Sequence, residues 1–165
     1  VESQIITNII ALFKGNTLKV RASNKNLYRG CWLTEDVFPG GLWFKPTLDG
    51  AAEYVAMHAQ QCRAEGKTPY IFECSLNKDM KFYELHESHL TAFFKAYGRN
   101  WTHEELATDI PKAFSAIGDT SVNGFYRPQT GEYFVCDPKK NLNLNKKFTN
   151  KEALKEASRV KGHSV

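Results

Sequence analysis

Nowhere in these 165 residues does an apolar run approach the roughly 20 needed to cross a bilayer as a helix, so no membrane partner is expected. Cysteine is sparse: Cys31, Cys62, Cys74 and Cys136 form neither a CxxC pair nor a dense disulfide framework. Cys74 and Cys136 lie in strand-like runs and Cys62 in a helix-like one. They read as free, mostly buried thiols, which favours a reducing compartment. No base is placed beside any of them, as a nucleophilic cysteine needs. Histidines are scattered: His58, His86, His89, His103 and His163. His86 and His89 stand three apart with no nearby cysteine or third ligand, so no metal is expected. Internal repeats and low-complexity stretches are absent. The excess of positive charge is only +4, too small by itself to point to nucleic acid; it suits an acidic ligand or partner equally well.

Hydrophobic residues make up 42% and charged residues 24%, the balance of a globular chain with a proper core. One domain over residues 1–165 is expected. The first residue is Val1 rather than Met, so a processed form or a piece trimmed from a longer chain is expected.

The apolar spacing in "SQIITNIIALFKG" predicts a first helix ending at Gly15. "NLYRGCWL" reads as a strand with an unusual Arg-Gly inside it. A Pro-Gly-Gly turn then precedes a short strand, Leu42 to Phe44. "LDGAAEYVAMHAQQCRAEGK" reads as a helix with Asp49 as N-cap, Gly66 just past its end, and Ala52, Val55, Ala56, Ala59 and Cys62 as its buried stripe. "TPYIFECSL" and "MKFYEL" are extended. "ESHLTAFFKAYG" to "THEELATDIPKAFSAIG" is helical, with Pro111 interrupting or starting a helix. "GFYRP" and "GEYFVCD" form a hairpin around Pro128 to Gly131. "NLNLNKKF" is a last strand, and "TNKEALKEASRVKG" a last helix with a Thr149–Glu152 capping box. Short strands joined by tight turns, without regular strand–helix alternation, predict an α+β fold with a mostly antiparallel sheet.

Three separated stretches carry the chemistry: "LYRG", "GGLWFKPTLDGAAEYV" and "TGEYFVCDP". In the third, a strand of aromatic and branched residues holds a carboxylate, Glu132, near its start. Alternation puts Glu132, Phe134 and Cys136 on one face and Tyr133 and Val135 on the other.

In order and spacing these stretches resemble the ADP-ribosyltransferase superfamily, in particular the branch of the poly(ADP-ribose) polymerases. That branch has "HG", "GIYF", "SANY" and "NEYIVY"; this chain has "RG", "GLWF", "AAEY" and "GEYFVC" over roughly residues 25–148. The interval from Trp43 to Tyr54 matches the family's. The resemblance implies a split, mostly antiparallel β core around a cleft for NAD, which is the substrate. It implies that Gly30 offers its backbone to the nicotinamide carboxamide, Tyr54 stacks on the ring and Trp43 walls the pocket. Phe44 and Thr47 complete the implied cofactor-binding set, and Glu132 is the implied catalytic residue, bonded to the ribose hydroxyl beside the scissile bond. Chemistry agrees: the departing nicotinamide leaves an oxocarbenium-like sugar, and a fixed carboxylate stabilises that developing charge without reorganising.

Two departures matter. Arg29 replaces the first-strand His, as in the branch resembling cholera-type toxins, where an Arg contacts the NAD phosphates; a guanidinium binds phosphate oxygens as a fork. That branch also expects a Ser-Thr-Ser strand, and a Glu or Gln where Thr130 stands. Ala51 replaces the "SANY" serine, removing a hydrogen bond of about 1 kcal/mol. The mixed set implies transfer of a single ADP-ribose to a macromolecular acceptor, expected to be a protein, by a bacterial toxin or virulence effector acting in a host cytosol. A nucleic-acid acceptor is less favoured. Hydroxyl, amide, guanidinium and carboxylate acceptors all stay open, as do an NAD glycohydrolase and a degenerate binding module. "GRNWTHEEL", with Trp101, is a candidate partner-recognition loop. The basic C-terminal stretch reads as a solvated face.

Overall fold

A computed structural model describes residues 4, 17–22, 25–33, 42–102 and 122–165. The expected first helix, the Pro-Gly-Gly turn and the helical stretch around Pro111 lie outside the described residues. Among the described residues the strands are β1 (Thr17–Val20), β2 (Asn26–Leu33), β3 (Leu42–Phe44), β4 (Thr68–Leu76), β5 (Met80–Glu84), β6 (Gly124–Arg127), β7 (Glu132–Val135) and β8 (Leu142–Phe148). The helices are α1 (Leu48–Ala64), α2 (Glu87–Tyr97), α3 (Pro138–Asn141) and α4 (Asn150–Lys161).

The strands form two sheets, ordered β1-β5-β6-β7-β3 and β2-β4-β8. Every pairing is antiparallel except β5 with β6. The expected α+β class with a split, mostly antiparallel core and flanking helices is the architecture observed. The split falls between β2 and β3. There an isolated bridge, Tyr28 to Lys45, joins the sheets through two backbone hydrogen bonds of 2.9 and 2.6 Å.

Alternation along the strands explains the layers. Leu27, Cys31, Phe44, Phe72, Phe82, Tyr133 and Val135 meet in one apolar core. Phe134, on the opposite face of β7, joins Tyr83, Phe93, Trp101 and Phe125, with Trp43 and Cys136 packed against them. The predicted two faces of β7 are therefore the two faces seen. A third core lies under the helices, where Ala51, Ala52, Val55 and Ala59 of α1 meet Trp32, Ile71 and the small residues Ala153 and Ala157 of α4.

Small residues let α1 lie almost on the backbone of β2. A Cβ on Gly30 would stand 2.1 Å from the Ala51 carbonyl oxygen. Trp32 pins the same contact, its Nε1 donating to the Val55 carbonyl at 3.0 Å.

The cap of α1 differs from expectation. Thr47, not Asp49, is the N-cap, its hydroxyl accepting from the Gly50 N–H at 3.1 Å. Asp49 lies in the first turn, where its charge suits the helix N-terminus and it pairs with Arg159 of α4. The Thr149–Glu152 capping box of α4 forms as predicted, at 3.0 and 3.1 Å. Strand β1 and the single turn α3 were not foreseen. Trp101 also departs from its reading as an exposed recognition residue: it is 8% exposed and packs on Phe93 at 4.7 Å.

Candidate active site

The site sits where the two sheets part. Arg29 and Gly30 come from β2, Trp43 from β3, Lys45 from the bridge just beyond it, and Tyr54 and His58 from α1. Arg127 ends β6 and Glu132 begins β7. These eight residues line one cleft of about 410 Å³. The resemblance implies Arg29, Gly30, Trp43, Tyr54 and Glu132 as a set from three separated stretches, and the fold brings these five together.

Local chemistry explains each position. The β6–β7 hairpin turns at Gly131, whose φ of +73° suits a residue without a side chain. Its N–H donates to the Arg127 carbonyl at 2.8 Å. The turn sets Glu132 in register opposite Arg127. The Glu132 carboxylate pairs with Lys45 Nζ at 3.2 Å, its side chain 21% exposed. Arg29 donates to the Trp43 carbonyl at 2.9 Å, tying β2 to β3 across the split. Trp43 packs on Phe134 at 5.4 Å. Tyr54 is 38% exposed and packs at a tilt on His58, with ring centroids 4.4 Å apart, so its ring is at the opening rather than in the core.

Gly30 plays a double part. Its backbone lines the cleft, while the side chain it lacks would point into α1. The missing Cβ is first a packing requirement between strand and helix.

Phe44 and Thr47 stand apart from the cleft. Phe44 is fully buried in the core between the sheets, because strand alternation turns it away from Trp43. Thr47 is occupied as the cap of α1. Lys45 and Arg127 line the cleft without having been foreseen. As isolated cations in strand-like segments they carry no motif; only the bridge to Tyr28 and the register with Glu132 place them.

Cysteine chemistry is disfavoured at the cleft. Burial pushes the Cys31 thiol up to about 11, against the downward pull of Arg29. Burial, with the charge of Asp137, pushes Cys136 up to about 12. Both therefore stay protonated at neutral pH and are poor nucleophiles. His86 and His89 are engaged with each other at the start of α2. The His86 N–H donates to His89 Nδ1 at 3.1 Å, and His86 Nε2 lies 3.1 Å from Glu84. Among the described residues no group of three or more His, Cys, Asp or Glu is arranged to hold a metal.

No family model matches the chain, and no curated protein matches it. Among solved structures, it is similar in fold to a chain in the crystal structure of the M. tuberculosis MbcT–MbcA toxin–antitoxin complex. The TM-score is 0.59, with 12% identity over 94% of this chain and 98% of that one. At that identity the likeness is one of fold.

Proposed function

We propose that this chain is an NAD-consuming toxin that breaks the nicotinamide–ribose bond and transfers a single ADP-ribose to a protein acceptor. One observation carries the reading: Arg29, Gly30, Trp43, Tyr54 and Glu132, the set implied by the resemblance to the ADP-ribosyltransferase superfamily, line a single cleft at the split between two sheets. The fold it shares with a chain of a toxin–antitoxin complex supports the toxin role and a protein partner that holds it in check. Four free cysteines fit work in a reducing compartment.

The chemistry divides among the residues. Tyr54 and Trp43 offer ring faces to the nicotinamide, and the Gly30 backbone can approach its carboxamide. Arg29 offers a fork to phosphate oxygens. Glu132 stands at the cleft with a negative charge where positive charge develops on the sugar as the bond breaks. Nicotinamide leaves as a neutral base, so no general acid is required. The same carboxylate can orient or deprotonate the incoming nucleophile, a contribution of about 10²–10⁴-fold.

A second reading replaces the protein acceptor with water. It is favoured by Thr130, whose hydroxyl accepts from the Glu132 N–H at 3.3 Å and supplies no second acidic group for an acceptor. The test is incubation with NAD labelled on the adenylate and a bacterial lysate, following both free nicotinamide and labelled protein. A labelled band absent with Glu132→Gln supports transfer. Nicotinamide release with no labelled band assigns water as the acceptor. Neither signal refutes both.

A further inference from the structure

Two buried donors in the wall of the cleft have no hydrogen-bond partner among the described residues: Trp43 Nε1 and Arg127 Nε. Both side chains line the same cavity. A buried donor left without an acceptor is costly, and both residues border one cavity, so a ligand there that brings acceptors can meet these donors once the side chains turn to it. Charge points the same way. Among the described residues Arg29, Lys45 and Arg127 line the cleft against one carboxylate, that of Glu132. Lys45 offsets Glu132 at 3.2 Å. Arg29 commits part of its guanidinium to the Trp43 carbonyl. The charge of Arg127 remains beside Glu132, directly across the β6–β7 ladder.

Arg127 also lines a hollow of about 310 Å³, whose walls include Leu85, Leu90, Phe94 and Trp101 together with the polar Glu87, Thr91 and Asn100.

We infer that Arg127 is an anion-binding residue of the cleft, and that it takes phosphoryl oxygens of the nucleotide substrate. Its planar fork suits that geometry, and lysine is not its equivalent. The inference rests on the cleft being the NAD site, and deepens that reading by naming a second arginine for the diphosphate.

Calorimetric titration tests it, with ADP-ribose, inorganic pyrophosphate and nicotinamide as probes, on the wild-type chain, Arg127→Gln and Arg127→Lys. Thermal melts of all three report folding. Arg127→Gln is expected to weaken ADP-ribose and pyrophosphate at least about 10-fold, the loss of a hydrogen bond to a charged group, and to leave nicotinamide affinity unchanged. Arg127→Lys should recover only part of the loss. Equal affinity of wild type and Arg127→Gln for both phosphate probes overturns the assignment. If the wild type binds pyrophosphate but not ADP-ribose, and Arg127→Gln loses the pyrophosphate, Arg127 stands and the dinucleotide reading falls. A wild type that binds neither phosphate probe overturns both. Should Arg127→Gln fail to fold, Arg127→Lys decides, and wild-type affinity in that variant refutes the role.

Discussion

Replacing Gly30 with alanine probes the contact on which the cleft is built. The added Cβ would stand 2.1 Å from the Ala51 carbonyl oxygen, 2.9 Å from its carbonyl carbon and 3.1 Å from Val55 Cγ2. The first distance is about 0.9 Å short of the 3.0 Å that real Cβ atoms essentially never go below. The obstacle is helix backbone, which has no rotamer to escape into. Either α1 lifts from β2 or β2 bends away. Inserting a methyl group into a well-packed core costs typically about 1–3 kcal/mol, and a backbone obstacle puts this site at the upper end. At about 2–4 °C per kcal/mol for a chain of this length, the melting temperature should fall by roughly 6–12 °C. Lifting α1 also moves Tyr54 and His58 at the cleft mouth, so affinity for NAD should fall in whatever fraction remains folded. Differential scanning calorimetry with a parallel binding titration reads both. A variant melting within 1–2 °C (about the shift of 0.5 kcal/mol) of the wild type would refute the close packing of β2 on α1.

Tyr54→Ala should raise the KM for NAD about 2- to 10-fold, the loss of a stacking contact, with little change in melting temperature because the ring is 38% exposed. An unchanged KM would remove Tyr54 from the site. Stability should also depend on pH through His89. Burial, with the neighbouring His86, holds its pKa below the ordinary value of 6.5. The unfolded chain then takes up the proton first, so the stabilisation is present above about pH 6.5 and is lost as pH falls through the unfolded value towards the lower folded one. Denaturant midpoints measured between pH 7.5 and 5 should fall less steeply for His89→Asn than for the wild type. Parallel slopes would show that His89 titrates alike in both states.

How far the sequence disclosed this molecule depended on the kind of signal. Strands β2 and β4 appear where alternation and flanking turns put them, and α4 was marked at its start by Thr149 and Glu152 and at its end by Gly162. Strand β1 is four residues of partly exposed, mixed character, and α3 is one turn, so neither has a period long enough to read. Thr47 and Asp49 are both good caps, and only the chain's exit from the Tyr28–Lys45 bridge decides between them. Trp101 sits among polar neighbours that suggest exposure, and a distant ring, Phe93, buries it. The family resemblance gathered Arg29, Gly30, Trp43, Tyr54 and Glu132. It could not show that Phe44 turns into the core, that Lys45 pairs with Glu132, or that Arg127 lines the same cleft. Those facts belong to register and to the junction of two sheets, which a linear pattern does not contain.

The central claim is that Glu132 drives cleavage of NAD in the cleft between the sheets. Its most direct test is nicotinamide released from NAD by the purified chain and by Glu132→Gln, with melting temperatures measured alongside. Release by the wild type is expected, with a rate at least about 100-fold lower for the variant, at nearly unchanged stability, because the carboxylate is partly exposed and its Lys45 partner stays solvated. Equal release by the two chains, or none by the wild type, would contradict it.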